Sequence, residues 1–403
     1  MIRIGLKREG KVPADTRVAL SPLQAKVFQE KHKNEVEIYV EKSANRCFSD
    51  EEFAAAGFPP VDDLDHCDLI LGIKETIIPR LMRDKTYMFF AHVIKKQAYN
   101  RELLLTVLKR NIRLIDYETL LDEKGVRLIG FGKYAGIVGA HYALLMWGKK
   151  TGRFELRRAV ECFDYEDMLT EYSKLNMGNP KILITGKGRV SSGIVEILNK
   201  AGIKQINSDA YINSEFNEAV YVQLDADELY KHKEGKDFDF QHFFSHPADY
   251  LSVFERFIPH TDILINGIFW DPAADRFFEK KSAVAADFRI KIIADVSCDI
   301  NGSVPLTYRS TTIDDPFYGV DRRTLREFEA FGSDSIDMMT IGNLPNELPR
   351  DATLMFGKLM SETILPLYIE DREHTILKRA TIAADGRLTP RYAYLQDYVD
   401  GKK

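Results

Sequence analysis

The stretch Ile182–Leu198, ILITGKGRVSSGIVEIL, decides the fold class. It opens on an apolar run that reads as a buried strand. Gly186 and Gly188 follow at once, and the remainder repeats its apolar residues at helical spacing. A strand that turns over glycines straight into a helix lets backbone amides approach a pyrophosphate, whose charge the helix N-terminus favours. Ser191 stands where a G-x-G-x-x-G turn would carry its third glycine, with Gly193 two residues on, so the fingerprint is imperfect. Ordinary strand–helix turns also contain glycines; the weight of this one comes from its place at the head of a fresh series of strands and helices.

Downstream, Ala219–Gln223, Thr261–Gly267 and Ile290–Val296 read as further strands. Upstream, MIRIGL, Glu35–Val40, Cys67–Ile73, Thr86–Ala91 and Ile112–Tyr117 make an earlier series. Between them lie the amphipathic stretches PLQAKVFQEKH, SDEEFAAAGF and QAYNRELLLTVLKR, the second with Ser49 and Glu52 at capping-box spacing. Strands alternating with helices predict βαβ units and parallel sheets covered on both faces. The expected class is therefore α/β: two Rossmann-like domains with mainly parallel sheets and an active-site cleft between them. Residues 1–138 with 346–403 form the discontinuous catalytic domain in this reading, 139–345 the dinucleotide-binding domain, and a helix across Tyr134–Lys149 joins them. Asp225–Ser252, polar, aromatic and His-containing, reads as an insertion, and Asp351 to Ile369 as a closing helical pattern.

With 56 basic against 61 acidic residues the formal net charge is −5, and no basic block stands out, which argues against general binding to a nucleic-acid backbone. The 45% hydrophobic content is ordinary for a chain with packed cores. The longest apolar candidate, Ala135–Trp147, falls short of the ~20 residues a bilayer span needs and carries His141. The N-terminus lacks the apolar centre of a signal peptide. Cys47, Cys67, Cys162 and Cys298 are scattered, without zinc-ligand spacing. A cytoplasmic setting, reduced cysteines, no metal, no membrane and a monomer or small homo-oligomer are expected.

In parallel sheets ligands gather beyond the carboxyl ends of the strands. Lys74 directly follows an apolar strand there, and a partly desolvated lysine serves as acid or base, although a surface lysine is common at such a place. His92 repeats the geometry after the next strand, and Glu118 follows the one after. Glu118 is expected beside Lys74, tuning its charge; the plainer role is a helix-starting acid. Arg17 and Arg127 suit carboxylate substrates, or structural ion pairs. For a dinucleotide's ribose, the strand after the glycine turn offers Asn207 and Asp209, while Arg189 suits a 2′-phosphate, so NAD and NADP both stay open.

KREGKVPADTRVALSP, ILGIKE, KTYMFFAHVIKKQ, RLIDYETLLDEKGVRLIGFGKYAG, TGKGRVSSG, HTDILINGIFWDP, ADVSCDINGS, TTIDDPF and IGNLPNELPRDAT occur in this order over nearly the whole chain. Together they resemble the lysine–2-oxoglutarate reductase part of bifunctional aminoadipate-semialdehyde synthase and the lysine-forming saccharopine dehydrogenases. Alanine dehydrogenase and the transhydrogenase NAD domain are wider relatives. The resemblance implies interconversion of saccharopine with L-lysine and 2-oxoglutarate through an imine and hydride transfer, with NAD or NADP. It implies Lys74 and His92 as the acid–base pair, with Glu118 and Glu75 shaping the charge of Lys74. Arg17 and Arg127 would hold carboxylates, and Lys95, Gln97 and Phe131 would line the site. Gly186, Gly188, Arg189, Val190, Ser191, Asn207, Asp209, Asn266, Gly267, Asp295, Asn343 and Pro345 would contact the cofactor, Asp295 near its nicotinamide end unless it is a cap or buried acceptor.

Three features depart from a single pattern. Asp15 replaces the usual Glu before the first arginine, Glu75 follows the lysine-forming enzymes, and the Asp225–Ser252 insertion with HPADYLSVFERF follows the bifunctional reductase. The saccharopine-cleaving domain of the bifunctional protein has no counterpart, so that second step is not expected on this chain. Two other readings compete: an alanine-dehydrogenase-like enzyme for a smaller amino acid, and an inert dinucleotide-binding protein.

Overall fold

The structure is a computed structural model and describes residues 1–402. The chain begins with five strands: β1 (Ile2–Leu6), β2 (Val36–Val40), β3 (Leu69–Lys74), β4 (Thr86–Phe90) and β5 (Arg113–Asp116). Their inner residues are buried on both faces, as continuous apolar runs demand. Two of the helices between them start where the sequence supplies caps. Ser49 and Glu52 form the reciprocal capping box at Asp50–Ala55, and Ser21 with Gln24 does the same ahead of Pro22–Lys31.

The chain then enters the helix Gly132–Thr151, followed by β6 (Lys181–Thr185), the helix Arg189–Lys200, β7 (Lys204–Gln205) and β8 (Val220–Leu224). A two-stranded antiparallel piece comes next, β9 (Tyr230–His232) with β10 (Tyr250–Ser252). After it run β11 (Ile263–Asn266), β12 (Ile292–Asp295), β13 (Phe317–Asp321), β14 (Glu327–Phe328) and β15 (Ser335–Met339). The order in this sheet, among the described residues, is β14-β13-β15-β12-β11-β6-β8-β7, parallel from β15 to β7. The helices Gly132–Thr151 and Arg189–Lys200 pack backbone to backbone. A Cβ on Gly136 would strike the Val190 carbonyl, and one on Gly193 the Lys133 carbonyl. That contact explains Gly193 two residues past the expected place: it serves helix–helix approach rather than the turn itself.

Finally the chain returns through a long helical stretch, Pro349–Glu370 with a π-turn at Met360–Ile364, to β16 (Thr381–Ala384) and β17 (Arg387–Leu388). These join the first sheet antiparallel, giving the order β17-β16-β5-β4-β3-β1-β2. The chain divides into two compact units, residues 1–131 with 349–402 and residues 132–348. The boundaries differ from the expected ones by a few residues because the helix Gly132–Thr151, read as a connector, is buried almost throughout in the core of the second unit. The four cysteines form no disulfide, and among the described residues no helix is long and apolar enough to cross a membrane.

Candidate active site

In the first unit the carboxyl ends of β3, β4 and β5 lie side by side. Lys74 pairs in register with Phe90, and Phe89 with Asp116. The β3–β4 register slips between Leu71 and Lys74, and there the amides of Ile73 and Lys74 donate to the two carboxylate oxygens of Glu9, at 2.8 and 3.0 Å. Glu9 is buried against Lys7, whose Nζ lies 3.0 Å from Oε1. A charged clamp thus takes the amides that the disrupted ladder leaves, and it fixes the strand end carrying Lys74.

Burial pulls the Lys74 ammonium down to about 8; Arg17 and Lys11 push the same way, and Asp15 and Glu75 oppose them. Arg17 itself is held by Asp15, Nη2 to Oδ2 at 2.5 Å and Nε to Oδ1 at 3.0 Å. Its guanidinium lies 4.1 Å over Phe131, which stacks on Phe356. Glu75 accepts from Lys11 Nζ at 2.6 Å, and its other oxygen is buried with no hydrogen-bond partner.

His92 follows β4 in the left-handed region, φ 54°, where a residue with a Cβ is held only by its surroundings. Its Nδ1 lies 3.2 Å from Glu118 Oε2, while Lys95 Nζ and an Arg127 nitrogen lie 3.3 and 3.5 Å from Oε1. Burial would raise the Glu118 carboxyl, but His92, Lys95 and Arg127 outweigh it and hold it down to about 2. An ionised Glu118 accepts the Nδ1 proton and leaves Nε2 as the nitrogen that exchanges protons. Glu118 therefore pairs with His92, Lys95 and Arg127; the groups that act most on Lys74 are Arg17, Asp15, Lys11 and Glu75. The physical reason is the one-strand offset: β4 separates β5 from β3. Gln97 accepts from Tyr99 through its side chain and from Tyr398 through its carbonyl.

Under this group sits Asp116, which the sequence reading did not single out. One of its oxygens accepts from the amides of Ala91 (3.3 Å) and Glu118 (2.9 Å), so a single buried carboxyl ties together the approaches to His92 and Glu118. Its other oxygen has no partner, and burial pushes it up to about 7. The available signal was an Asp ending an apolar run, a position that costs free energy unless the group is bonded.

In the second unit the turn after β6 has Gly186 at φ +85° and Gly188 exposed as the N-cap of a 12-residue helix, a cradle open to a phosphate. Around it the polar side chains bind one another. Ser191 Oγ, buried, donates to the Thr185 carbonyl at 2.9 Å, and Thr185 Oγ1 donates to Asn266 Oδ1 at 2.6 Å. Asn266 Nδ2 reaches Asp295, Ser297 and Ser303, while Asp295 also accepts from Ser297, Thr307 and the Cys298 amide. The side chains of Asn266, Asp295 and Ser191, expected as cofactor contacts, are buried and hydrogen-bonded within this network. Gly267 donates its amide to Thr185 Oγ1. Arg189 and Val190 open the helix, Arg189 exposed, while Asn343 precedes and buried Pro345 lies within the turn Leu344–Glu347.

Asn207 and Asp209 need a correction. Local pattern put them at the end of the strand beside β6, but β8 takes that place and β7 lies one strand further out. Asn207 instead caps the short helix Ser208–Asn213, accepting from the Ala210 amide. The residue that leaves the strand next to the turn is Asp225: Gly186 donates to the Leu224 carbonyl at 2.7 Å, and Gln223 donates to the Gly186 carbonyl at 3.0 Å. Asp225 was read as the start of the insertion. It is the N-cap of Ala226–Leu229, with Glu228 closing the box, and Lys187 pairs with Glu228.

Residues 5–138 match the family model described as alanine dehydrogenase/PNT, N-terminal domain. The chain is 28% identical to the mitochondrial alpha-aminoadipic semialdehyde synthase of Bos taurus, over 98% of this chain and 47% of that protein. It thus spans about half the length of that relative. It is also 28% identical to the saccharopine dehydrogenase [NAD(+), L-lysine-forming] of Neurospora crassa, over 82% of each chain. A solved L-alanine dehydrogenase superposes with a TM-score of 0.66 at 16% identity, covering 99% of both chains. The chain is therefore a homologue of proteins named saccharopine dehydrogenase and aminoadipic semialdehyde synthase, and it has the two-domain fold of alanine dehydrogenase.

Proposed function

We propose that the chain is a pyridine-nucleotide-dependent amino-acid dehydrogenase that interconverts saccharopine with L-lysine and 2-oxoglutarate. The observation that carries this reading is the pair of proton carriers on neighbouring strand ends: Lys74, drawn down to about 8, and His92, whose Nδ1 faces an ionised Glu118. In this reading the first unit holds the substrates and the second the dinucleotide.

In the condensing direction the ε-amine of L-lysine must be neutral to attack the keto carbon. At pH 7 about a tenth of Lys74 is unprotonated, enough to accept that proton. His92 Nε2 gives a proton to the departing hydroxyl and water leaves, with Glu118 stabilising the charge that the ring gains and loses. The dinucleotide, when bound, would supply or take up the hydride at the former keto carbon. In this reading Arg127 and Lys95, beside Glu118, add positive charge for the 2-oxoglutarate carboxylates, and Arg17 adds its charge while held by Asp15.

The dinucleotide fits the second unit through backbone rather than side chain: the positive-φ Gly186, the exposed Gly188 and the helix behind them. Asp225 beside that turn supports NAD over NADP, since a carboxylate accepts from a ribose 2′-hydroxyl and repels a 2′-phosphate. The name of the Neurospora crassa relative agrees with this preference.

The test is a rate matrix crossing saccharopine, L-lysine with 2-oxoglutarate, and alanine with NAD and NADP. Turnover of saccharopine with NAD, exceeding that of alanine by about 100-fold, is expected. Equal or faster turnover of alanine would overturn the reading, because no donors for the second and third carboxylates would then be in use.

A further inference from the structure

The β9–β10 piece carries a constellation that the proposed chemistry does not use. His232 ends β9, His242 lies on the helix Phe240–Ser245, and Asp249 ends the turn leading into β10. One ligand-capable atom from each lies within 4.8 Å of the others. We propose that His232, His242 and Asp249 bind a divalent cation of the zinc class and thereby tie the three segments of this insertion together.

The tautomer of His242 favours it. The Tyr250 hydroxyl donates to the Asp239 carbonyl at 3.3 Å, so it accepts from His242 Nδ1, 3.2 Å away. That relay leaves the lone pair on Nε2, and Nε2 lies 3.7 Å from Asp249 Oδ2. The separation is long for a hydrogen bond but suits two ligands on one ion with bonds of about 2 Å. A metal-bound imidazole whose other nitrogen donates to an outer partner is the usual arrangement at zinc. His232 pairs in register with Tyr250, so the strand pairing brings its ring to the same edge, 5.7 Å from His242. Its Nδ1 accepts from the Glu234 amide at 3.1 Å. Ligation through Nε2 moves the ring proton to Nδ1 and gives up that one bond, a small loss against a metal–imidazole bond. Two imidazoles and one carboxylate make a borderline donor set, which suits zinc better than magnesium or calcium.

The full chain, stripped with a chelator and dialysed, is titrated with Zn²⁺ by calorimetry and with Co²⁺ by visible absorption. One tight equivalent is expected, together with a cobalt spectrum of low coordination number. His242→Ala should weaken binding at least about 100-fold, since even outer partners of metal ligands are worth 10–100-fold. Asp249→Asn, a change at an exposed carboxylate, should weaken it about tenfold while leaving the circular dichroism unchanged. His92→Gln should keep the equivalent. The proposal is overturned if the wild-type chain binds no such equivalent, if Asp249→Asn and His242→Ala bind as it does, or if binding disappears in His92→Gln.

Discussion

The two sheets end in opposite ways. At the carboxyl edge of the first, charged side chains face one another across adjacent strands: Lys74 near Arg17, His92 on Glu118, Lys95 and Arg127 around it. At the carboxyl edge of the second, Thr185, Ser191, Asn266, Asp295, Ser297, Ser303 and Thr307 satisfy one another, and what is presented outward is backbone around Gly186 and Gly188. Both edges are polar, and the first carries an amine that burial has drawn down to about 8. In the proposed reading one parallel sheet ends as proton-transfer machinery and the other as a rigid cradle. What separates them is whether charged side chains stand at the strand ends, or the buried polar groups close upon one another.

The sharpest way to break this contrast is Lys74→Met. It removes the one amine that burial has brought down to about 8. Turnover should fall by about 10²–10⁴-fold with dinucleotide affinity unchanged, because the cradle belongs to the other unit. In the wild type the rate in the saccharopine-oxidising direction should rise with pH to a plateau above about 8, as Lys74 loses its proton and becomes a base. Steady-state rates across pH, with dinucleotide binding measured by fluorescence, check both; an unaltered rate would return Lys74 to the role of an ordinary strand-end lysine.

Asp295→Ala probes the opposite edge. It would strand the donors of Asn266, Ser297 and Thr307 in a buried site, where each unpaired group costs roughly 1–3 kcal/mol. Urea unfolding should show a loss of about 3 kcal/mol, with weaker dinucleotide binding as the turn loosens. Turnover at saturating dinucleotide should keep its pH profile. Collapse of turnover at unchanged stability would mean instead that this carboxyl reaches the reacting groups.

Much of this was legible from local pattern. Apolar runs marked the central strands, serine and glutamate three apart marked a helix start, and polar residues just past strand ends marked Lys74, His92 and Glu118. What pattern could not carry is pairing across distance. Nothing in KQINSDA tells that β8 slips between β6 and β7, so the acid beside the glycine turn was sought at Asn207 and Asp209 rather than Asp225. β16 is short, and its antiparallel partner β5 lies far along the chain. Nor does a residue type reveal which way it is used: Asn266 and Asp295 have the chemistry of ligand contacts but spend it inside the protein. Glu9 and Asp116, the clamps behind the active strand ends, resemble any loop or strand-end acid until their amide partners are known.

The smallest expected effect tests whether the clamp under His92 is itself neutral. Asp116 is fully buried with one oxygen unpaired, and burial raises its carboxyl from 3.8 to about 7. A group whose folded value lies above its unfolded one stabilises fully below the unfolded value and loses that contribution as pH rises through the folded value. Asp116→Asn keeps an acceptor oxygen for the amides of Ala91 and Glu118 but cannot ionise. The wild type should therefore lose stability relative to the variant as pH climbs from about 5 to about 8, by about 2 kcal/mol once relaxation around the charge is allowed for. Denaturation midpoints of both chains across that range check the sign. Parallel curves would mean that the Asp116 carboxyl is ionised across the whole range.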